Sequence, residues 1–243
     1  MGERGTPVRQ KSDLGVRTLS AIVMVAVAGT ALWLGGWWWT AFACAVGLGV
    51  LWEWSNLARG IAKTRGDAAM WAVAGVTYIG VAVWTLVMLR WMGLAAALAP
   101  LAVVVAVDVG AYFAGRTFGG PKIAPKISPS KTWSGLIGGA LAAAVLLVGF
   151  NGNPALQSGG SVDQVAHDDY IIVLDWWVLA GVALLCAIIA QTGDFFESWM
   201  KRRSGVKDSG SLIPGHGGLF DRTDGLLAVC FVLGVVMLMR SLL

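Results

Sequence analysis

Apolar runs separated by short polar clusters dominate this chain. Near 19–34, 38–56, 70–89, 92–114, 135–151, 176–193 and 225–241 the sequence carries almost no charge over lengths suited to membrane-spanning helices. The first two belong to one stretch of 34 uncharged residues from Leu19 to Trp52, too long for a single helix. Gly35-Gly36 followed by Trp37, Trp38 and Trp39 predicts an interfacial turn that divides it. The pattern predicts an all-α polytopic membrane protein of about seven transmembrane helices.

Composition agrees. Hydrophobic residues make up 57% of the 243 and charged residues 13%, against roughly 25% charged in a soluble domain. That excludes a soluble globular enzyme and leaves no length for a separate soluble domain, so function must lie in the loops or inside the bundle. The net charge of +4 raises nucleic acid as a partner, but in a membrane protein Lys and Arg first report sidedness. With the N-terminus cytoplasmic, sixteen of the eighteen basic residues fall in inner segments and only Arg90 and Arg240 do not. The stretch 151–175 then lies outside, with Asp163, Asp168, Asp169 and Asp175 and no Lys or Arg. Trp91, Trp176 and Trp177 join Trp37, Trp38 and Trp39 in an outer aromatic belt. Nucleic acid is set aside; the bilayer is the partner.

The organisation expected is a cytoplasmic segment 1–18, N-terminal helices over 19–107, and a catalytic membrane region 108–243 with cytoplasmic loops 115–134 and 194–224. Cys44, Cys186 and Cys230 are isolated and read as small buried hydrophobes. His167 reads as an inert outer-loop residue, and Glu53 as a snorkelling partner for Arg59.

The remaining polarity concentrates in two inner segments. The first carries Asp108, Tyr112 and Arg116, spaced i, i+4, i+8 on one helix face, then Gly119, Gly120, Lys122 and Lys126 and the run Ser128-Pro-Ser-Lys131-Thr132. A carboxylate at the depth of Asp108 costs several kcal/mol unless paired, metal-bound or hydrated. A cationic loop rich in hydroxyls and exposed amides suits phosphate or anionic headgroups; it is not a Walker A loop, because Ser130 stands where its second Gly belongs. The second segment places Asp194, Glu197, Ser198 and Lys201 on one face of a helix end, then Arg202, Lys207 and Asp208, the flexible turn Pro214-Gly-His216-Gly217-Gly218, and Asp221, Arg222 and Asp224. The turn lets the chain fold back and bring the two acidic pairs together. Carboxylates among Lys and Arg fit metal-assisted phosphoryl or nucleotidyl transfer, in which hard oxygen ligands hold Mg²⁺ and cations neutralise the leaving group. His216 reads as a base or a hydrogen-bonding loop residue.

The run Ser198-x₂-Lys201-Arg202-x₄-Lys207-Asp208-x-Gly210-x₂-Ile213-Pro214-x-His216-Gly217-Gly218-x₂-Asp221-Arg222-x-Asp224 resembles the signature of the phosphatidate cytidylyltransferases, or CDP-diacylglycerol synthases. Gly193-Asp194-x₂-Glu197-Ser198, Asp108-x-Gly-Ala-Tyr112-Phe-x-Gly-Arg116 and Ser128-Pro-x-Lys131-Thr132 are also similar to that family. The resemblance implies transfer of the cytidylyl group of CTP to phosphatidate, giving CDP-diacylglycerol and pyrophosphate, with Mg²⁺ required, room for a second cation, a homodimer, and residence in a bacterial inner membrane. On it, Asp194 and Asp221 are the leading metal ligands, with Asp224 and Asp108 behind them. Arg116, Lys131, Lys201, Arg202, Lys207 and Arg222 bind the triphosphate or the lipid phosphate, Asp208 and His216 join the catalytic group, and Tyr112, Ser128, Thr132, Ser198, Gly217 and Gly218 line the substrates. One departure is visible: Ser134 stands where the family carries Glu. Two rival readings remain, a CTP-dependent lipid kinase and an ion-coupled transporter.

Overall fold

The computed structural model describes residues 11–151 and 174–242, with side chains from residue 15 onward. The expectations for Arg4, Arg9, Asp163, His167, Asp168 and Asp169 lie outside the described residues. Among the described residues seven helices are long and apolar enough to cross a membrane: α1 (Lys11–Leu34), α2 (Gly36–Ile61), α3 (Arg65–Met92), α4 (Leu94–Phe118), α5 (Trp133–Asn151), α6 (Trp176–Arg203) and α7 (Asp224–Ser241). The predicted turn divides α1 from α2 at Gly35 and Gly36, whose φ of 65° and 47° lies in the left-handed region that glycine adopts without cost.

Several helices extend beyond their apolar runs, and for α3 and α6 the local reason is visible. Thr64 caps α3, its side chain accepting from the Asp67 amide at 3.1 Å while Asp67 accepts from the Thr64 amide at 3.1 Å. This reciprocal capping starts the helix at Arg65 rather than near 70. Beyond 193, α6 continues to Arg203 because its charges share one face and its aromatic residues pack on another. Phe196 meets the buried Trp54 with ring centroids 5.6 Å apart, and Trp199 lies 6.0 Å from Trp71.

The spans are all helical, as expected; between α4 and α5, in place of the expected loop, a small antiparallel hairpin forms, β1 (Lys122–Ala124) and β2 (Ser128–Thr132). Pro121, Pro125 and Pro129 exclude helix here, and pairing the strands satisfies backbone groups that would otherwise need water. The belt assignment is corrected at Trp39. Its ring is buried and donates to the Leu86 carbonyl at 2.9 Å, while Trp37, Trp38, Trp91, Trp176 and Trp177 remain exposed.

The helices α4 and α5 pack closely along a seam of small residues. A methyl group at Gly110 would stand 2.5 Å from the Gly138 carbonyl oxygen, and one at Gly138 would stand 2.2 Å from the Ala114 Cβ. Only hydrogen at these positions lets the two backbones come this close, as small residues do between membrane helices. In turn α5 packs on α6, and α6 on α7, so the hairpin at the top of the seam is held beside the polar half of α6.

Candidate active site

The polar face of α6 is the centre of the site. Lys201 lies one turn beyond Glu197, its Nζ 2.5 Å from Glu197 Oε2 and 2.6 Å from Asp221 Oδ1. Asp221 sits on a short 3-10 turn, Phe220–Arg222, between the glycine loop and α7. Its second oxygen, Oδ2, accepts from the Ser209 amide at 3.0 Å and the Gly218 amide at 2.9 Å, and lies 3.0 Å from Ser209 Oγ. Burial alone would raise the Asp221 pKa; hydrogen bonds with Glu197 and Lys201 and from the Gly218 and Ser209 amides outweigh it and hold the carboxyl well below the usual range.

The glycine loop folds back as its composition predicts. Gly217 has φ 85°, and a methyl group at Gly218 would stand 2.0 Å from Ser209 Oγ and 2.6 Å from Glu53 Oε2. Underneath is Glu53, fully buried on α2. It accepts from Ser209 Oγ at 2.9 Å, the Leu219 amide at 3.0 Å and the Phe220 amide at 2.8 Å. The expected pairing with Arg59 is therefore corrected: Arg59 Nη2 donates to Asn56 Oδ1 at 2.5 Å, and Glu53 anchors the loop that carries Asp221.

One turn before Glu197, Asp194 lies against the Asp224 carboxyl at the start of α7. Its Oδ2 is also paired with Lys131, delivered from the end of β2. That ion pair joins the two polar segments. Beside it opens a cavity of about 460 Å³ lined by Asp108, Tyr112, Arg116, Lys122, Lys131 and Gln191 among others. Arg116 Nη1 donates to the Tyr112 hydroxyl at 2.8 Å, as the i, i+4 spacing predicts. Thr132 caps α5, accepting from the Gly135 amide at 3.1 Å. Ser134, in the place of the family's Glu, donates to the Gly119 carbonyl that ends α4.

Other expected residues stand at the margin. Ser128 Oγ lies 3.5 Å from Ser130 Oγ. His216 Nδ1 lies 2.8 Å from Ser20 Oγ on α1, and its carbonyl accepts from Arg222 Nη2 at 2.7 Å and Nε at 3.1 Å. Arg202, Lys207 and Asp208 are exposed, and no ion pair within the described residues draws them or Ser198 to the acidic cluster.

The donor set suits a hard divalent cation. Asp194 and Asp224 form one neighbouring carboxyl pair, with Lys131 on Asp194, and Asp221 and Glu197 form another, bridged by Lys201. Among the described residues no three acidic, His or Cys side chains form a complete cage. Magnesium rarely uses one: it takes one or two carboxylates and completes its shell with water and substrate phosphate.

The profile of the cytidylyltransferase family matches residues 62–240. A phosphatidate cytidylyltransferase of Brucella suis is 35% identical over 268 aligned positions, covering 91% of this chain and 92% of the relative, and one of Rickettsia bellii is 33% identical, covering 93% and 91%. The chain belongs to the phosphatidate cytidylyltransferase family. For a phosphatidate cytidylyltransferase, two residues outside the sequence-predicted site are notable. Glu53 lies before the profile match yet holds the loop inside it. Gln191, 5% exposed, lines the cavity one turn before Asp194, and its Oε1 has no partner. Its only signal in the sequence is a lone amide in an apolar run; a buried acceptor without a donor is rare enough to mark a place for a ligand or water.

Proposed function

We propose that the protein transfers the cytidylyl group of CTP to phosphatidate, releasing pyrophosphate and leaving CDP-diacylglycerol in the membrane. The observation that carries this reading is the ion pair from Lys131 to Asp194, which sets a cation-lined cavity against an acidic cluster. The cavity suits the triphosphate: Arg116, Lys122 and Lys131 supply fixed positive charge, and Gln191 Oε1 accepts from a donor on the nucleotide. An oxygen of the lipid phosphate attacks the α-phosphorus of CTP, the bond from that phosphorus to the bridging oxygen breaks, and pyrophosphate departs. A phosphomonoester has its second pKa near 6, so the nucleophile is already ionised and His216 is assigned to holding α1 rather than to taking a proton. Lys201 keeps Asp221 and Glu197 in place. A magnesium ion held by Asp194, with Asp221 and Asp224 beside it, would neutralise charge on the phosphate oxygens.

The charge distribution supports a cytoplasmic N-terminus and a site at the inner face of a bacterial plasma membrane, where CTP is available. The resemblance alone supports a homodimer. The exposed stripe of Ile137, Leu141, Val145 and Val148 on α5 is an apolar face for lipid or for a second copy.

The test is product analysis with purified protein, phosphatidate, Mg²⁺ and doubly labelled CTP. Cytidine label entering the lipid, with one pyrophosphate per product, is the expected result. The γ-phosphate label entering the lipid instead would establish the kinase reading, and neither label entering it would leave the proposed reaction without support.

A further inference from the structure

The first helix stands away from the bundle and is fastened at its two ends. At one, Ser20 Oγ meets His216 Nδ1 at 2.8 Å. At the other, Arg90 reaches across to donate to the Leu32 carbonyl at 2.8 Å and the Trp33 carbonyl at 3.2 Å. Between these tethers lies an apolar cleft of about 710 Å³, walled by Val23 and Val27 of α1 on one side and by Phe42, Val46, Leu86 and Val105 on the other. Two helices with complementary faces would close such a gap by dispersion alone; here polar tethers hold a space open.

The cleft has a polar end, where Arg222 and Thr223 complete the lining. The guanidinium of Arg222 is held by the His216 carbonyl through Nε and Nη2, and no carboxylate of the described residues forms an ion pair with it. Its neighbour in sequence is Asp221, in the acidic cluster. Along α1 the lining runs from Val23 to Leu32, a rise of about 13 Å at roughly 1.5 Å per residue, close to half of a hydrocarbon core about 30 Å thick. The cleft therefore has the depth of one leaflet, with Arg222 in its lining at one end, while Arg90 at the other is taken up by the Leu32 and Trp33 carbonyls and stays out of the lining; that is the shape and charge of one anionic lipid.

We propose that this cleft holds the acyl chains of phosphatidate while Arg222 binds its phosphate, so that lipid and nucleotide reach the acidic cluster through separate compartments. The assignment rests on the cytidylyl-transfer reading given above, and it divides the cations: Arg116, Lys122 and Lys131 serve CTP, and Arg222 serves the lipid. An ordinary bilayer phospholipid would fit the walls equally well, but its phosphodiester carries one charge where phosphatidate carries nearly two, and a guanidinium held without a carboxylate favours the second.

The experiment uses phosphatidate with a photoactivatable diazirine in one acyl chain, added to the full-length protein in phosphatidylcholine vesicles. Crosslinks are expected on Val23, Val27, Phe42 and Val46, competed by dioleoyl phosphatidate and reduced at least tenfold in Arg222→Gln. Equal competition by added dioleoyl phosphatidylglycerol, a phosphodiester lipid, or labels confined to the outward face of α5, would overturn the proposal. In parallel, Ala28→Trp and Ala43→Trp fill the cleft from its two walls. Each is expected to raise the KM for dioleoyl phosphatidate at least tenfold while leaving the KM for CTP and turnover of dihexanoyl phosphatidate unchanged; equal losses with both lipids in a variant of unchanged Tm would count against the cleft. Failure of the reaction itself is distinguishable, because no cytidine would then enter lipid whether or not the crosslinks fall on α1 and α2.

Discussion

Glu53 and Ser209 lie 156 positions apart in the chain and 2.9 Å apart in the fold. Through this contact and the Leu219 and Phe220 amides, a helix with no place in the signature holds the loop that carries Asp221.

Replacing Glu53 by Leu strands the Leu219 and Phe220 amides, at about 1–3 kcal/mol each, while Ser209 Oγ keeps Asp221 Oδ2 as an acceptor. The variant is expected to unfold at a distinctly lower temperature in detergent, and Glu53→Gln, which keeps one acceptor oxygen, to lose less stability but still to lower kcat as Ser209 and Asp221 loosen. Arg59→Ala should change neither. Thermal unfolding followed by tryptophan fluorescence, with kcat and KM measured separately, checks all three; a Glu53→Leu protein as stable and active as the parent would remove the anchoring role.

Lys131 and Asp194 form the second junction. If both clamp one transition state, Lys131→Met and Asp194→Asn should each lower kcat/KM for CTP by at least about 100-fold, and the double variant should fall little further, because the same stabilisation cannot be lost twice. Additive losses would mean that the hairpin only attracts lipid headgroups.

The spans were legible because lipid leaves a one-dimensional trace: a long run without charge has few alternatives to a helix. The face shared by Asp194, Glu197 and Lys201 was legible from its 3.6-residue period, and the return of Asp221 and Asp224 from the glycine loop between them. Glu53 was not. A lone carboxylate near an arginine has a cheap local explanation, and its partners, two backbone amides and a serine hydroxyl, have no sequence signature. The hairpin escaped for a related reason: Pro121, Pro125 and Pro129 exclude helix but do not specify pairing. Trp39 was grouped with its neighbours because composition cannot show which of three consecutive indoles turns inward.

Asp221 gives a pH signature. Its folded pKa lies below the usual range, so its stabilisation is fully present above the unfolded value near 3.9 and is lost only as the pH falls through the lower folded value. Asp221→Asn should be less stable than the parent by about 1–3 kcal/mol, because the Ser209 and Gly218 amides lose a charged acceptor while Lys201 keeps Glu197. The gap should stay constant from pH 8 to about pH 5 and narrow only in stronger acid, below about pH 4. Unfolding curves for both proteins across that range decide it; a gap that closes near neutrality would show that the charge on Asp221 is not what these donors hold.

Sidedness is tested in a background lacking Cys44, Cys186 and Cys230. Single cysteines at Ala62 and Ile123 should react with an impermeant maleimide only after the inner face is opened, and one at Met92 should react in intact cells. Labelling of position 123 from outside would reverse the orientation proposed here and move the site away from cytosolic CTP.

The glycine seam between α4 and α5 makes a rigid lever. Its working end is the hairpin, and what it sets is the reach of Lys131 toward α6. Adding one methyl at Gly138, where the Gly110 carbonyl and Ala114 leave no room, would pry the helices apart and displace that ammonium. Such an allele would behave as a nucleotide-binding defect with every residue of the cavity intact, and its suppressor would be expected on the facing helix, as a smaller side chain at Ala114.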